Sequence, residues 1–250
     1  MEIIDFHIHP YYEYDPVPSL DSIVAGLEQN GVSMACGSVI YKDMKRLPAE
    51  DYEEKIPQLN DRAYALGNAS GGIIYPGIHV HPAFADMSCR ELERAKAKGY
   101  HLVGELLYYM MSYECYATPG LIEILRYAGE LGMVANFHPT DPSDMFKLCD
   151  EVKHTPLVWA HLSAYGAFDE HLEMMRRYEN VYFDISAHGC DREGIIRRAI
   201  DAVGADRILF GTDYPGETHD KYIEGVMREC SCDSEREKIF SLNAKRLLGL

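Results

Sequence analysis

Histidines and acidic residues stand at the ends of several short apolar segments, and the first segment is the most informative. It ends with Asp5-Phe6-His7-Ile8-His9. Side chains alternate along a β-strand, so His7 and His9 would point to the same side. Two imidazoles placed in this way can bind one divalent cation at about 2.0–2.1 Å from each nitrogen. The pair therefore indicates metal chemistry at the end of the first strand.

Four later segments also end in side chains that bind metals. The residues concerned are Glu105, His138, His161 and Asp213, which lie at the end of each segment or one to three residues beyond it. In a barrel of parallel strands, the carboxyl ends of the strands share one face, where catalytic groups lie. Removing charged side chains from water at such a face costs free energy unless they are paired, and a cation bound between them would provide the partner. We therefore predict a site for a divalent metal, with zinc preferred for imidazole and carboxylate donors and manganese as the alternative.

The order of the predicted elements supports this arrangement. The predicted strands are 2–8, 34–40, 72–80, 101–106, 133–137, 157–160, 181–185 and 207–210, and the predicted helices are 20–29, 51–66, 88–98, 121–131, 142–152, 168–178, 192–203 and 234–248. Strands that alternate with helices favour parallel pairing, and 250 residues is a typical length for a (β/α)8 TIM barrel. We therefore predict one α/β domain over residues 1–250. A doubly wound open sheet is the alternative, but His9-Pro10 stands where a glycine-rich phosphate loop would follow the first strand.

The composition is that of a globular protein with an acidic surface. Hydrophobic residues make up 47% of the chain and charged residues 26%, which argues against a disordered or fibrous protein. The net charge of −16 disfavours nucleic acid as a partner, and no apolar run reaches the roughly 18 residues of a membrane span. The acidic N-terminus lacks the basic part of a secretory signal, and the seven cysteines are scattered, so we expect a cytoplasmic protein. Its expected partner is a small-molecule substrate, and a homo-oligomeric state is compatible with the sequence.

The order of these candidate ligands resembles the metal-dependent hydrolases of the amidohydrolase superfamily. More narrowly, the chain resembles the amidohydrolase 2 branch, which also contains enzymes similar to aminocarboxymuconate semialdehyde decarboxylase. The residues that carry the resemblance are His7, His9, His138, His161 and Asp213. Three segments support it, namely 210–215, which contains Asp213, 180–186 and 243–248. This resemblance implies a TIM barrel that binds one or two divalent metals.

Glu105 marks a departure from part of that superfamily. Many members with two metals carry a carboxylated lysine at the end of strand four, where this chain reads Val103-Gly104-Glu105. The segment is more similar to that of TatD-like hydrolases, in which a strand-four glutamate can bind or bridge metals. The resemblance therefore leaves open whether the site holds one metal ion or two.

Our main functional prediction is hydrolysis of an amide, ester or lactone bond in a small organic substrate by a metal-activated water. In this mechanism Asp213 acts as the general base, and His161 either polarises the carbonyl or completes a second metal site. The alternative is a metal-dependent decarboxylase of the aminocarboxymuconate semialdehyde decarboxylase type, with a single metal and with His161 as the proton donor. The acidic charge disfavours a TatD-like nuclease, and the intact set of donors disfavours a ligand-binding barrel without catalysis.

Three further residues are predicted to contact the substrate. His81 and His188 follow the third and seventh predicted strands, and Arg46 in the second loop could recognise a substrate carboxylate. The first loop, 10–14, and the fourth, 108–111, are rich in aromatic residues or methionine and could cover an organic substrate.

Overall fold

Strands and helices alternate along the chain, as the sequence pattern predicts. The computed structural model describes residues 1–11, 18–40, 42–188, 190 and 192–250, so most of the predicted aromatic loop 10–14 lies outside the described residues. Each strand is followed by at least one helix before the next strand begins. In the described part of the chain, no helix is long and apolar enough to cross a membrane.

The eight strands are short and most of the helices span three turns. The strands are β1 (Ile3–Tyr11), β2 (Val32–Val39), β3 (Ile74–Gly77), β4 (Leu102–Leu106), β5 (Val134–Phe137), β6 (Leu157–Trp159), β7 (Val181–Asp184) and β8 (Ile208–Leu209). The α-helices are α1 (Leu20–Gln29), α2 (Tyr52–Ala69), α3 (Ala85–Ala97), α4 (Pro119–Glu130), α5 (Pro142–Glu151), α6 (Phe168–Arg177), α7 (Ile195–Val203), α8 (His219–Glu229), α9 (Asp233–Glu237) and α10 (Asn243–Leu248). Short 3₁₀ helices occupy Lys42–Arg46, Ala49–Asp51, Tyr108–Met110 and Ala164–Gly166, and a π-helical segment, Lys238–Leu242, joins α9 to α10.

The strands form a closed ring in which every pair is parallel. Ladders join β1, β2 and β3, and a second set joins β4 to β8 in chain order. Between β3 and β4, the amide of Ile78 donates to Leu102 O at 3.1 Å and that of Gly104 donates to Ile78 O at 2.7 Å. Between β8 and β1, the amide of Phe6 donates to Phe210 O at 2.9 Å. The predicted TIM barrel is therefore confirmed, and the carboxyl ends of its strands share one face.

Capping residues fix where the outer helices begin, and glycine fixes where some of them end. Ser19 accepts a hydrogen bond from the amide of Ser22 at the start of α1, and Thr118 accepts one from the amide of Leu121 at the start of α4. After α1, Gly31 has a φ of 69°, a left-handed conformation that favours glycine. The buried residues of each long helix lie along one face, which packs against the strands. The helices therefore surround the barrel and leave its carboxyl end to the loops.

The structure differs from the prediction near the C-terminus. β8 is shorter than predicted because Phe210 leaves the ladder and donates its amide to Ile239 O at 2.9 Å. Helix α8 is not among the predicted helices, and its first residue, His219, is buried. The predicted helix 234–248 is interrupted by its π-helical segment.

The side chain of Asn243 anchors the last helix to the barrel. Its amide nitrogen is fully buried and donates to Ala205 O at 2.7 Å and to Ile208 O at 2.8 Å. These two carbonyls belong to the turn before β8 and to β8 itself. Asn243 therefore helps to hold the strand that leads to Asp213.

We predict that Asn243→Ala lowers the free energy of unfolding by about 3 kcal/mol, because each buried acceptor left without a donor costs about 1–3 kcal/mol. Urea denaturation followed by circular dichroism measures the change. Leu242→Ala, one residue earlier and 48% exposed, is the control and should stay close to the parent protein. Equal midpoints for the two variants would contradict the anchoring role.

Candidate metal centre and active site

Four donor atoms from β1, β4 and the segment after β8 converge at the carboxyl end of the barrel. Nε2 of His7 lies 3.3 Å from Nε2 of His9 and 3.2 Å from Oε2 of Glu105. Oδ1 of Asp213 lies 3.4 Å from Nε2 of His7 and 2.7 Å from Nε2 of His9. Nε2 of His9 and Oε2 of Glu105 are 3.5 Å apart. The sequence-predicted residues of this group thus lie around one point.

These separations fit a single metal ion. Four donors at about 2.1 Å from a tetrahedral ion lie about 3.4 Å from one another. By hydrogen-bond geometry, Oε2 of Glu105 and Oδ1 of Asp213 are buried without a donor among the described residues. A buried carboxylate oxygen without a donor is costly, and a cation placed between these atoms would satisfy both of them. The donor set therefore fits a divalent metal.

Residues outside this group orient the imidazoles. Nδ1 of His7 lies 2.9 Å from Oδ2 of the buried Asp184, so its Nδ1–H donates to the carboxylate and its Nε2 lone pair faces the other donors. Nδ1 of His161 lies 3.1 Å from the carbonyl oxygen of Ser186, which can only accept, so the Nε2 lone pair of His161 also faces inward. The backbone at Gly211 lies close to both His7 and Asp184. A Cβ atom at this position would lie 3.1 Å from the Cβ of His7 and 3.2 Å from the Cβ of Asp184, so glycine leaves room for this pair.

A second group of imidazoles faces the other oxygen of Glu105. Oε1 of Glu105 lies 3.2 Å from Nδ1 of His138 and 4.0 Å from Nε2 of His161. His138, His161 and His188 each offer a nitrogen within 4.8 Å of the others. The hydroxyl of Tyr165 lies 2.9 Å from Nε2 of His138 and fixes the ring from the outside.

The charges of this site are strongly coupled. Burial alone would lower the pKa of His7, but the carboxylates of Glu105 and Asp184 outweigh it and raise the pKa well above the usual value. Burial would raise the pKa of Glu105, but His7 and His138 outweigh it and hold the pKa well below the usual range. Burial, and then the neighbouring charge of His7, lower the pKa of His161 to about 3. The carboxylates of this group thus favour positive charge beside them, which a proton on His7 or a bound cation would supply.

Three of the site residues have a backbone conformation that non-glycine residues seldom adopt. The φ angles are 58° for His161, 43° for His188 and 74° for Asp213. A non-glycine residue in this region costs of order 1–3 kcal/mol, and such residues are concentrated at functional sites. The strained backbone turns these side chains into the barrel mouth where the regular strands end.

The donors open into a small polar cavity of about 190 Å³. It is lined by His9, Leu107, Tyr109, His138, His161, His188 and Asp213. Tyr109 lies in the predicted aromatic fourth loop and has its ring 5.2 Å from that of His138. A larger groove, about 870 Å³, lies on the outer surface between α3 and α4 and contains none of these residues.

Two residues predicted to contact substrate lie away from this cavity. His81 is buried, stacks on Tyr52 with ring centres 4.6 Å apart, and has Nε2 2.9 Å from Met111 O. The fourth loop therefore covers His81 and separates it from the cavity. Arg46 is exposed and forms an ion pair with Asp43 at 3.4 Å. The structure thus places His81 and Arg46 outside the lining of this cavity and His188 within it, and substrate contact stays a prediction for all three.

Sequence reasoning missed the residues that support the ligands. Asp184 is the last residue of β7, and this strand-end position was the same signal that identified the other acids. Ser186 and Tyr165 carry no comparable signal, because serine and tyrosine at such positions are common on any loop. Their contacts with His161 and His138 are visible only in three dimensions.

Comparison with known families decides the membership of the chain. The family model described as Amidohydrolase, the amidohydrolase 2 branch, matches residues 4–250. The chain belongs to this family. The resemblance drawn from the order of the candidate ligands is therefore confirmed.

Several proteins that are similar to this amidohydrolase 2 chain are named as decarboxylases. γ-Resorcylate decarboxylase from Rhizobium radiobacter is 38% identical over 73 residues, and this match spans 29% of the present chain and 22% of the relative. The structure of 2,6-dihydroxybenzoate decarboxylase from Rhizobium is similar with a TM-score of 0.80 and 17% identity, covering 100% of this chain and 99% of the other. A dihydroxybenzoic acid decarboxylase from Polaromonas, with bound manganese and the inhibitor 2-nitroresorcinol, has a TM-score of 0.77 and 16% identity, covering 100% and 97% of the two chains.

These comparisons correct two predictions. Hydrolysis as the main reaction is wrong, because the curated relative and both structures are named as decarboxylases, which were our alternative. The preference for zinc is not supported, because the Polaromonas structure contains manganese. At 16–17% identity the structural likeness itself shows the shared fold.

We predict that Asp184→Asn weakens divalent metal binding by about 10- to 100-fold, the usual effect of losing a partner that orients a ligand. An amide NH₂ facing Nδ1 of His7 would favour the other tautomer, which places the proton on Nε2 and removes the lone pair from the site. Isothermal titration with Mn²⁺ measures the affinity. Asp169→Asn, at an exposed position, is the control, and an unchanged affinity in Asp184→Asn would contradict the orienting role.

Proposed function

We propose that the protein is a divalent-metal-dependent lyase that removes the carboxyl group of a small hydroxylated aromatic acid as CO₂. The observation that carries the proposal is the convergence of His7, His9, Glu105 and Asp213 beneath a small cavity with an aromatic edge. The similarity to γ-resorcylate decarboxylase supports the reaction class, although it spans 22% of that relative.

The size and lining of the cavity favour a single-ring acid. Pockets for drug-sized ligands measure about 300–1,000 Å³, and this cavity measures about 190 Å³. Tyr109, 46% exposed, stands at its edge and offers an aromatic surface to a flat ring. Among the described residues that line the cavity there is no lysine or arginine, so a substrate carboxylate would rely on a bound cation for its positive partner.

The reaction exchanges a carboxylate for a proton. A divalent cation bound by His7, His9, Glu105 and Asp213 would supply positive charge that holds an anionic substrate and stabilises negative charge on its oxygens. The ring carbon that carries the carboxylate takes up a proton. The bond between this carbon and the carboxylate then breaks, its electron pair returns to the ring, and CO₂ leaves.

The structure disfavours His161 as the proton donor of this reaction. Its Nδ1–H donates to Ser186 O, and its Nε2, which faces the cavity, has a lone pair instead of a proton. Its low pKa of about 3, caused by burial and then by His7, keeps the ring neutral at physiological pH. We propose that the proton enters from the mouth of the cavity, where His188 and Tyr165 lie with ring centres 5.4 Å apart.

We propose manganese as the cation that supports turnover. The Polaromonas decarboxylase contains manganese, and imidazole and carboxylate donors suit Mn²⁺ as well as Zn²⁺. The choice between the two ions is testable, because both can be added to chelator-treated protein.

We predict that the Mn²⁺-loaded protein releases CO₂ from at least one of 2,6-dihydroxybenzoate, 2,3-dihydroxybenzoate and 5-carboxyvanillate. In D₂O, the product should carry one deuterium at the carbon that lost the carboxylate, as measured by NMR. His9→Ala should lower turnover by more than about 100-fold. Loss of a residue that only orients a metal ligand typically costs about 10- to 100-fold, and loss of the ligand itself should cost more.

The matched control is His154→Ala, which removes an exposed histidine before β6. This variant should retain full turnover. Absence of CO₂ release from the whole panel, in protein shown to bind Mn²⁺, would overturn the proposed reaction.

A further inference from the structure

The imidazole of His81 holds the fourth loop from behind. Its Nε2 lies 2.9 Å from Met111 O, and its Nδ1 lies 3.2 Å from the amide nitrogen of Ala83. A carbonyl oxygen can only accept and an amide can only donate, so Nε2 carries the proton and Nδ1 carries the lone pair. His81 therefore donates to the last residue of the loop, two positions after Tyr109.

The ring of His81 has little freedom to move. It stacks on Tyr52 at an interplanar angle of 19°, and the ring of Tyr113 packs against it in a T-shaped arrangement with ring centres 5.5 Å apart. The backbone amide of His81 donates to the hydroxyl oxygen of Ser88 at 2.9 Å. Burial lowers the pKa of His81, so the ring stays neutral at physiological pH. The hydrogen bond to Met111 is therefore fixed in direction.

The hydroxyl of the buried Tyr52 provides a second tie at the end of the same loop. It donates to Met44 O at 2.5 Å, so the hydroxyl of Ser112, which lies 2.9 Å away, donates to it in turn. The chain is thus held at Met111 and at Ser112. Both contacts come directly after the turn that carries Tyr109.

The opposite side of the fourth loop faces the cavity. Tyr109 lines the cavity, is 46% exposed and has its ring 5.2 Å from that of His138. Met110 and Met111, in contrast, are buried. The loop therefore has a buried side that His81 holds and an open side that presents the ring of Tyr109 to the cavity.

We propose that Tyr109 determines specificity for aromatic ligands and that His81 is the positioning residue that holds Tyr109 in place. This inference rests on the proposed function, because it names the ring of the substrate as the group that Tyr109 contacts. A side chain that is already held in position loses little further conformational freedom when a ligand binds. Pairs of aromatic rings also depend on a stacked or edge-to-face geometry, so a displaced Tyr109 would contact the ligand less well.

The test compares an aromatic and a non-aromatic ligand on the Mn²⁺-loaded protein by isothermal titration. The aromatic probe is 2-nitroresorcinol, the inhibitor in the Polaromonas structure, and the other probe is oxalate, which binds divalent cations but has no ring. Tyr109→Ala should raise the Kd of 2-nitroresorcinol about tenfold, the order expected for one aromatic contact, and leave that of oxalate unchanged. Tyr109→Phe keeps the ring and should change either Kd by at most about twofold.

His81→Ala should raise the Kd of 2-nitroresorcinol by the same factor of about ten, because Met111 O loses its donor and Tyr109 loses its fixed position. The double variant with Tyr109→Ala should show no further increase, since two residues that act through one contact have non-additive effects. His81→Gln supplies an N–H for Met111 O and should recover part of the affinity.

Tyr52→Phe covers the case in which His81→Ala fails to fold. It removes only the hydroxyl that ties Ser112, and it should raise the Kd of 2-nitroresorcinol about threefold while that of oxalate stays unchanged. His154→Ala, at an exposed position, is the control and should match the parent protein with both probes.

An unchanged Kd for 2-nitroresorcinol in Tyr109→Ala, or no binding of this probe to the parent protein, would overturn the ring contact. Additive effects in the double variant, or equal weakening of both probes in His81→Ala and Tyr52→Phe, would overturn the positioning role.

These measurements do not depend on the release of CO₂. Variants that behave as expected, in a protein that releases no CO₂ from the panel of acids, would refute the proposed reaction alone. A protein that releases CO₂ but binds 2-nitroresorcinol equally well with and without the ring of Tyr109 would refute the present inference alone.

Discussion

Three carboxylates among the same imidazoles, two of them buried and that of Asp213 half-buried, are the constraint on which the rest of this structure depends. Glu105, Asp184 and Asp213 all contact His7 or its neighbours, and a buried charge is tolerated only when it is paired and hydrogen-bonded. Glu105 and Asp184 raise the pKa of His7 well above its usual value against the effect of burial, which shows how strongly this group favours positive charge. A divalent cation would meet the same requirement, because it could reach the two carboxylate oxygens that lack a hydrogen-bond donor among the described residues.

The barrel provides the geometry for this constraint by bringing distant segments to one face. Asp5 on β1 accepts hydrogen bonds from the amide of His7 at 3.0 Å and from the amide and hydroxyl of Thr212 at 3.2 and 2.5 Å, so the ends of β1 and β8 are held together. The imidazole of His219 lies 3.0 Å from the same carboxylate. The donors are therefore positioned by a layer of buried polar contacts beneath them, and the loops above remain available to determine which substrate is bound.

The sequence predicts the ligands better than their surroundings, and the reason is physical. The two-residue period of a strand requires His7 and His9 to share a side, and strand ends in a barrel require Glu105 and Asp213 to share a face. No comparable rule predicts the course that a loop takes across the barrel. The sequence therefore does not predict that the fourth loop buries His81 or that Arg46 is exposed. Helix α8 escaped prediction because nothing in its sequence indicates that His219 will be buried against Asp5. The reaction class was missed for a different reason, since one set of donors can serve several reactions.

The overall charge of the protein and the local charge of the site act over different distances. A net charge of −16 is spread over the whole chain, and at physiological ionic strength charges farther apart than about 8 Å are largely screened. Inside the cavity, the donors of each group of three lie within 4.8 Å of one another, less than this screening length, so screening between them is weak. A charged substrate would therefore respond mainly to the charges at the barrel mouth once it had entered the cavity. The acidic surface therefore does not by itself exclude the carboxylate substrate that we propose.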